Sequence, residues 1–201
     1  MTSHPQPILI VGCGGHARSV LEIACSSSLW KPIGFIGQSF EVGSTIHGLP
    51  VLGTDDDLQY MRKKVRHVVI GIGQIKSSHI RVSIVNKLME YNYILPSIAA
   101  SSSIISKYAK IGKGTVVGHQ TLINSDASIG EFCIINSGTI LEHDCQIGDH
   151  THVSTGVLIN GNTTIGKHSF IGSGTVIREG LVLPPNTIVS AGKRIMKWPL
   201  L

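Results

Sequence analysis

Charge, aromatic rings and cysteines are all scarce in this sequence, and each scarcity excludes something. Only 14% of the 201 residues are charged while 42% are apolar, so the chain has material for a core and is not disordered. No run approaches the roughly 18–20 uninterrupted apolar residues of a membrane helix, and residues 1–7 lack the charged start and apolar stretch of a secretory signal. The expectation is a soluble cytoplasmic protein without membrane insertion. Cys13, Cys25, Cys133 and Cys145 follow neither a disulfide framework nor a paired CxxC zinc pattern, so reduced, mostly buried thiols are expected. The one basic cluster, Arg62-Lys63-Lys64-Val65-Arg66-His67, has few aromatics beside it, which argues against nucleic acid. A formal charge of +5 suits small anionic ligands such as nucleotides.

What the sequence has in abundance is a repeat. From Ile105 an aliphatic residue recurs every six positions, through Ile111, Val117, Ile123 and onward to Leu183 and Val189, fifteen hexads without a slip. Two residues before each stands something small or β-branched, as at Thr115, Thr121, Cys133, Thr139, Cys145 and Thr151. Residues two apart on a strand share a face, so each hexad reads as a short strand with two inward side chains, followed by a corner. Six is no multiple of 3.6, which excludes a helix. The residue after the aliphatic one is mostly Gly, Asn or Ser, as at Gly112, Gly130, Asn160 and Gly166, and is read as a turn former. Three hexads make a coil of 18 residues, so residues 105–194 are expected to form a five-coil β-helix with coils about 4.8 Å apart. Its interior is too narrow for a ligand, which places function on the outside.

The first hundred residues carry no such repeat. Residues 7–11 read as a buried strand running into Gly12-Cys13-Gly14-Gly15-His16-Ala17 and a helical stretch over 18–25. This matches the G-x-G-x-x-A form, in which glycines let backbone amides approach a phosphate at a helix N-terminus. A second strand over 32–36 ends in Gly37-Gln38, without the acidic residue that an NAD ribose requires, so NAD is not expected. Residues 68–73 read as a third strand with a glycine end, 78–91 as a helix behind it, and 93–103 as the connection to the first coil. Three β/α units make half a dinucleotide fold, enough for one mononucleotide. The expected boundaries are an α/β half-Rossmann domain over 1–96 and a β-helix domain over 97–201.

Two corners of the central coils break the rule, at Glu142 and Arg178, and such departures tend to mark function. Glu142 opens Glu142-His143-Asp144-Cys145, which sets a histidine on an outward corner between two carboxylates. An imidazole is suited to general-base work near neutral pH, and a carboxylate on Nδ1 fixes its tautomer; Asp144 is the first choice for that partner and Glu142 the second. One coil beyond His143 lies Gly161, whose amide is expected beside the imidazole, where it can stabilise an oxyanion. His152 points outward from a strand, His150 and His168 should stack, and His119 sits on another edge; two histidines without a third ligand do not argue for a metal.

With these motifs in view the chain resembles the bacterial sugar acetyltransferases of the sialic-acid O-acetyltransferase and UDP-4-amino-sugar N-acetyltransferase type. The carrying residues are Gly12-Cys13-Gly14-Gly15-His16, Ile70-Gly71-Ile72-Gly73, Ile140-Leu141-Glu142-His143-Asp144-Cys145 and His152-Val153-Ser154-Thr155-Gly156. The resemblance implies a left-handed β-helix, a homotrimer with active sites at subunit interfaces, and acetyl-CoA as donor. It implies His143 as general base and Asp144 as the group orienting it, with His152, Gly161, Ser173 and Ala191 lining the acetyl-CoA cleft. It implies nucleotide-sugar contacts at Gly14, Gly15, His16 and Gly73. Family members often carry base-holding acids where this chain has Gly37-Gln38. The end at Trp198-Pro199-Leu200-Leu201 falls where many relatives continue, so reduced or rearranged contacts to the adenine end of coenzyme A are expected. The reaction expected is direct acetyl transfer to a nucleotide-linked 4-amino-4,6-dideoxy sugar in surface glycan synthesis, without metal or acyl-enzyme. O-acetylation of a sialic-acid-type sugar and a non-catalytic nucleotide-sugar-binding scaffold are the alternatives.

Overall fold

The computed structural model describes residues 4–75 and 77–199, so Leu200 and Leu201 lie outside the described residues. The chain divides into two compact units, one of the residues up to Gly73 with His79–Pro96, the other of Gln74–Ser78 with the residues from Ser97 on.

In the first unit β1 (Gln6–Val11) buries Ile8 to Val11 almost completely, the run expected of a strand covered on both faces. It pairs in parallel with β2 (Trp30–Ile36) on one side and with β5 (His67–Ile70) on the other. Between β1 and β2 runs α1 (Gly15–Ser26), which turns Ala17, Val20, Leu21 and Ala24 inward at helical spacing. Behind β5 lies α3 (His79–Glu90), whose Ile84, Val85 and Leu88 are buried. The third strand is shorter than its apolar run suggests, because Gly71-Ile72-Gly73 leaves the sheet. Absent from the sequence reading is a hairpin of β3 (Thr45–Ile46) and β4 (Leu49–Gly53), followed by the short α2 (Leu58–Met61). Its turn residues His47 and Gly48 both take positive φ, 47° and 80°, as a two-residue hairpin of the primed type demands. β4 adds in parallel to β2, giving the order β3-β4-β2-β1-β5.

The second unit is a left-handed parallel β-helix of two-residue strands, from Ile98–Ala99 to Arg194–Ile195, in three sheets. Each strand pairs with the one 18 residues on, as Ile134 with His152 and Ile140 with Leu158. The helix starts one rung before the expected Ile105, because Ala99 takes the inward position with a side chain too small to register as aliphatic. The inward aliphatics Ile123, Leu141, Val153, Ile159, Ile165, Ile171 and Ile177 are fully buried.

The inward hydroxyls carry a second regularity. Thr115, Thr121, Thr139, Thr151, Thr163 and Thr175 each donate to the carbonyl fifteen residues on, at 2.8–3.3 Å. Cys133 and Cys145 make the same contact through sulfur, at 3.2 Å to Gly148 and Asn160. Every buried carbonyl so served avoids the cost of an unmade bond.

One expectation about the corners is corrected. The residue that turns the chain stands three after the aliphatic one: Gln120, Asp126, Phe132, Asp144, His150, Asn162, His168 and Asn186 have φ of 54–62°, and glycines fill the other such positions from Gly114 to Gly192. The glycine directly after the aliphatic residue serves close approach instead. At Gly112 a Cβ would lie 2.6 Å from the carbonyl of Gly130 in the next coil. Ile159→Ala, which empties a fully buried inward position, is expected to cost about 2–5 kcal/mol, read as a lower urea midpoint with the slope unchanged.

Candidate active site

His143 stands on the corner that follows the strand Ile140–Leu141, and the left-handed backbone of Asp144 folds the next carboxylate back toward it. Asp144 Oδ2 lies 2.8 Å from His143 Nδ1. Glu142, the second choice for that partner, is held elsewhere: its Oε2 accepts from Asn124 Nδ2 at 2.9 Å, one coil away. With Nδ1 facing a carboxylate, the proton sits there and Nε2 presents a lone pair. Nε2 and Cε1 overhang Gly161, where a Cβ would come within 2.6 Å of both. Gly161 is buried, and its N–H donates to no described residue. A lone-pair nitrogen and an unspent amide donor therefore share one corner, the pairing that acyl transfer through a tetrahedral oxyanion uses.

The other solenoid candidates lie apart from this corner. Ser173 and Ala191 are exposed on the corner after the strands Phe170–Ile171 and Ile188–Val189, a different edge of the solenoid from that of His143 and Gly161. Ser173 Oγ lies 2.8 Å from Ser154 Oγ. His152 does point outward from its strand, but it is 7% exposed, with Nδ1 against the Gln74 carbonyl and its ring edge-on to Phe170. Gln74 also donates through Nε2 to the His150 carbonyl at 2.8 Å. His150 and His168 stack as their spacing suggests, 5.2 Å apart and 8° from parallel, with Phe132 on the other side of His150. Among the described residues no group of three or more His, Cys, Asp or Glu is placed to hold a metal ion.

In the first unit a cavity of about 640 Å³ opens at the C-terminal ends of the strands, and Gly14, Gly15, His16, Gly37, Gln38 and Gly73 all line it. The glycines divide by role. Gly71 sits where a Cβ would meet Ala17 at 2.8 Å, and Gly12 has φ 114° against Gly71, so both serve the closeness of helix and strand. Gly14 and Gly15 have nothing within 4 Å of an added Cβ, so they leave space open at the N-terminus of α1. That end carries no acidic residue and no side-chain cap, which suits a phosphate.

Three lining residues escape the sequence reading: Phe40, Glu41 and Asp55. Glu41 supplies a carboxylate at the end of β2 after all, because a single turn over Ser39–Glu41 folds its Oε2 to 2.7 Å from the Gln38 amide. The spacing of Gln38 and Glu41, like that of Thr54 and Asp57, is a helix-start signal from which this fold-back could have been read. Burial and the adjacent Glu41 carboxylate push the Cys13 thiol up to about 11.

Fold and site together define a class, a small α/β unit followed in the chain by a hexapeptide-repeat β-helix, and the resemblance to the sugar acetyltransferases is borne out. Residues 7–88 match the PglD N-terminal domain, and residues 99–193 match the GMPPB C-terminal domain. No curated protein matches the chain. Among solved structures, a histidine-to-alanine mutant of GDP-perosamine N-acetyltransferase from Caulobacter crescentus, in complex with CoA and GDP-perosamine, is 26% identical, with 94% of this chain and 88% of that one covered and a TM-score of 0.86. The acetyltransferase domain of PglB from Neisseria gonorrhoeae, in complex with acetyl coenzyme A, shares the fold at 24% identity, 95% and 93% coverage and a TM-score of 0.84. WeeI from Acinetobacter baumannii does so at 23% identity, 95% coverage of each chain and a TM-score of 0.74.

Gly161→Ala is expected to displace the His143 ring, since the new methyl meets only the far end of that side chain. The imidazole resonances should shift in the NMR spectrum while the unfolding midpoint stays close to that of the parent protein.

Proposed function

We propose that the protein is an acetyl-CoA-dependent N-acetyltransferase that acts on a nucleotide-linked 4-amino-4,6-dideoxy sugar, in the cytoplasm, in surface glycan synthesis. The observation that carries this reading is the corner at which His143, oriented by Asp144, overhangs the unspent amide of Gly161. The likeness to GDP-perosamine N-acetyltransferase supports both donor and acceptor class.

His143 Nε2 takes a proton from the acceptor amine as its nitrogen attacks the thioester carbonyl. The Gly161 N–H stabilises the oxyanion, the C–S bond breaks, and the thiolate leaves as coenzyme A with the proton returned by the imidazolium. His152, Ser173 and Ala191 help hold acetyl-CoA, while Gly14, Gly15, His16, Gly37, Gln38 and Gly73 hold the nucleotide sugar.

A homotrimer fits the placement of these groups. His143 and the Ser173–Ala191 corner lie on different edges of one solenoid, so a second copy is what brings a donor site to the base. The sheet between those edges presents Ile104, Leu122, Ile140, Leu158 and Val176 outward, an apolar stripe of the kind that association covers. The next sheet presents Lys110, Ser128, Gln146 and Thr164 instead, with Val182 at its end. Leu158→Glu is expected to give single chains in sedimentation velocity with unchanged circular dichroism; an intact assembly would remove this stripe from the interface.

The test of the reaction is thiol release from acetyl-CoA against a panel of UDP-, dTDP- and GDP-linked 4-amino sugars and sialic acids. Release is expected with an amino sugar, and His143→Ala should lower turnover by about 10² to 10⁴ with assembly intact. Release only with sialic acids would make the protein an O-acetyltransferase, and neither release nor coenzyme A binding would leave a nucleotide-sugar-binding scaffold.

A further inference from the structure

We propose that the cavity of the first unit selects guanine, with Phe40 stacked on the base and the Asp55 carboxylate accepting from its N1–H and N2 amino group. The inference rests on the nucleotide-sugar reading above and sharpens it to a GDP-linked acceptor.

The order of the strands sets out the subsites. Gly14 and Gly15 follow β1, Gln38 to Glu41 follow β2, and Asp55 follows β4, all at the same ends of three adjacent parallel strands. Two strand spacings separate β1 from β4, about 10 Å, the reach from a diphosphate across a ribose to a base. With the phosphate at the N-terminus of α1, the base comes to the β4 end.

Two residues that line the cavity beyond β2 and β4 are otherwise unexplained. Phe40 is 80% exposed, a large ring left in water at the rim of the cavity. Exposed aromatics beside a binding cavity serve as platforms for the π-face of a base.

Asp55 is the first of three consecutive aspartates, and the other two are engaged. Asp57 Oδ2 accepts from the Thr54 amide at 2.8 Å, and Asp56 Oδ1 pairs with Lys87 at 3.3 Å. The Asp55 carboxylate lines the cavity and makes no hydrogen bond or ion pair with any described residue. Burial pushes its carboxyl up, with Lys87 drawing it back and Asp56 adding to the rise, so a donor from a ligand would relieve a partly desolvated charge.

The base follows from what a carboxylate accepts. Its two oxygens take two parallel N–H bonds, and guanine offers two donors side by side. Uracil and thymine offer one imide N–H between two carbonyl oxygens that repel a carboxylate. Adenine and cytosine set a ring acceptor beside their amino group. Hypoxanthine keeps N1–H and lacks the amino group, which makes inosine diphosphate the discriminating probe.

Isothermal titration of the full chain with GDP, inosine diphosphate, UDP and dTDP tests this, with acetyl-CoA as a separate titrant. GDP is expected to bind at least tenfold more tightly than each of the others. Asp55→Asn should bring GDP to the level of inosine diphosphate and leave acetyl-CoA affinity unchanged, whereas Phe40→Ala should weaken all four nucleotides alike. Equal binding of the four, or a GDP preference that survives Asp55→Asn, overturns the base reading and leaves the proposed acetyl transfer standing. Binding of acetyl-CoA without any of the nucleotides overturns the nucleotide-sugar reading and this inference with it.

Discussion

Coil stacked on coil at the spacing of a β-sheet is the constraint on which the second unit depends. Neighbouring backbones about 4.8 Å apart leave room inward for one aliphatic and one small side chain per strand, and leave no room for a Cβ at Gly112, Gly148 and Gly166, directly after the inward aliphatics. The threonine and cysteine ladder follows, since most corner carbonyls turned inward take a donor from the side chain fifteen residues behind them. The same constraint makes function addressable. Residues 18 apart are forced into register, so whatever stands at Gly161 is set against His143 by the backbone pairing alone.

The corner of His143 and Asp144 differs from the rest of the solenoid. The side chains of His143 and Asp144 are 62% and 58% exposed, and a polar contact so open contributes little to stability. What Asp144 does is fix which nitrogen carries the proton. Its left-handed backbone is a turn the solenoid makes at every such corner from Gly114 to Gly192, with Asn, Gln, His, Phe or Gly elsewhere, so the orienting group needs no departure from the coil. Glycine at 161 then leaves the ring its place.

Much of this is legible in the sequence because a repeat converts spacing into geometry. The hexad gave strands, coils and the stacking of His150 on His168, and adding one coil to His143 reached Gly161 without coordinates. Legibility ends where the repeat ends. Glu41 reaches the cavity through a single turn that no periodicity announces, and the engagement of Asp56 and Asp57 that singles out Asp55 depends on a lysine 31 residues from Asp56. His152 is outward by period, and only the fold shows that Gln74, 78 residues earlier, covers it. Ala99 was missed for the opposite reason: it fills an inward position with too little side chain to be counted.

The placement of the cysteines bears on the proposed route of the acetyl group. Cys133 and Cys145 fill ladder positions that threonine fills elsewhere, fully buried and bonded through sulfur to inward carbonyls. Burial pushes the Cys145 thiol up, away from the thiolate that would attack a thioester. Cys13 lies in the glycine turn of the first unit and is held up to about 11 by burial and Glu41. Cys25 is the exposed one of the four, on α1 of the first unit, and burial and Glu22 push its thiol up as well. The proposed direct attack of the acceptor on the thioester agrees with this placement of the thiols. The demand on the protein is then to hold both substrates at one place and to remove one proton, which is the work a single oriented histidine can do.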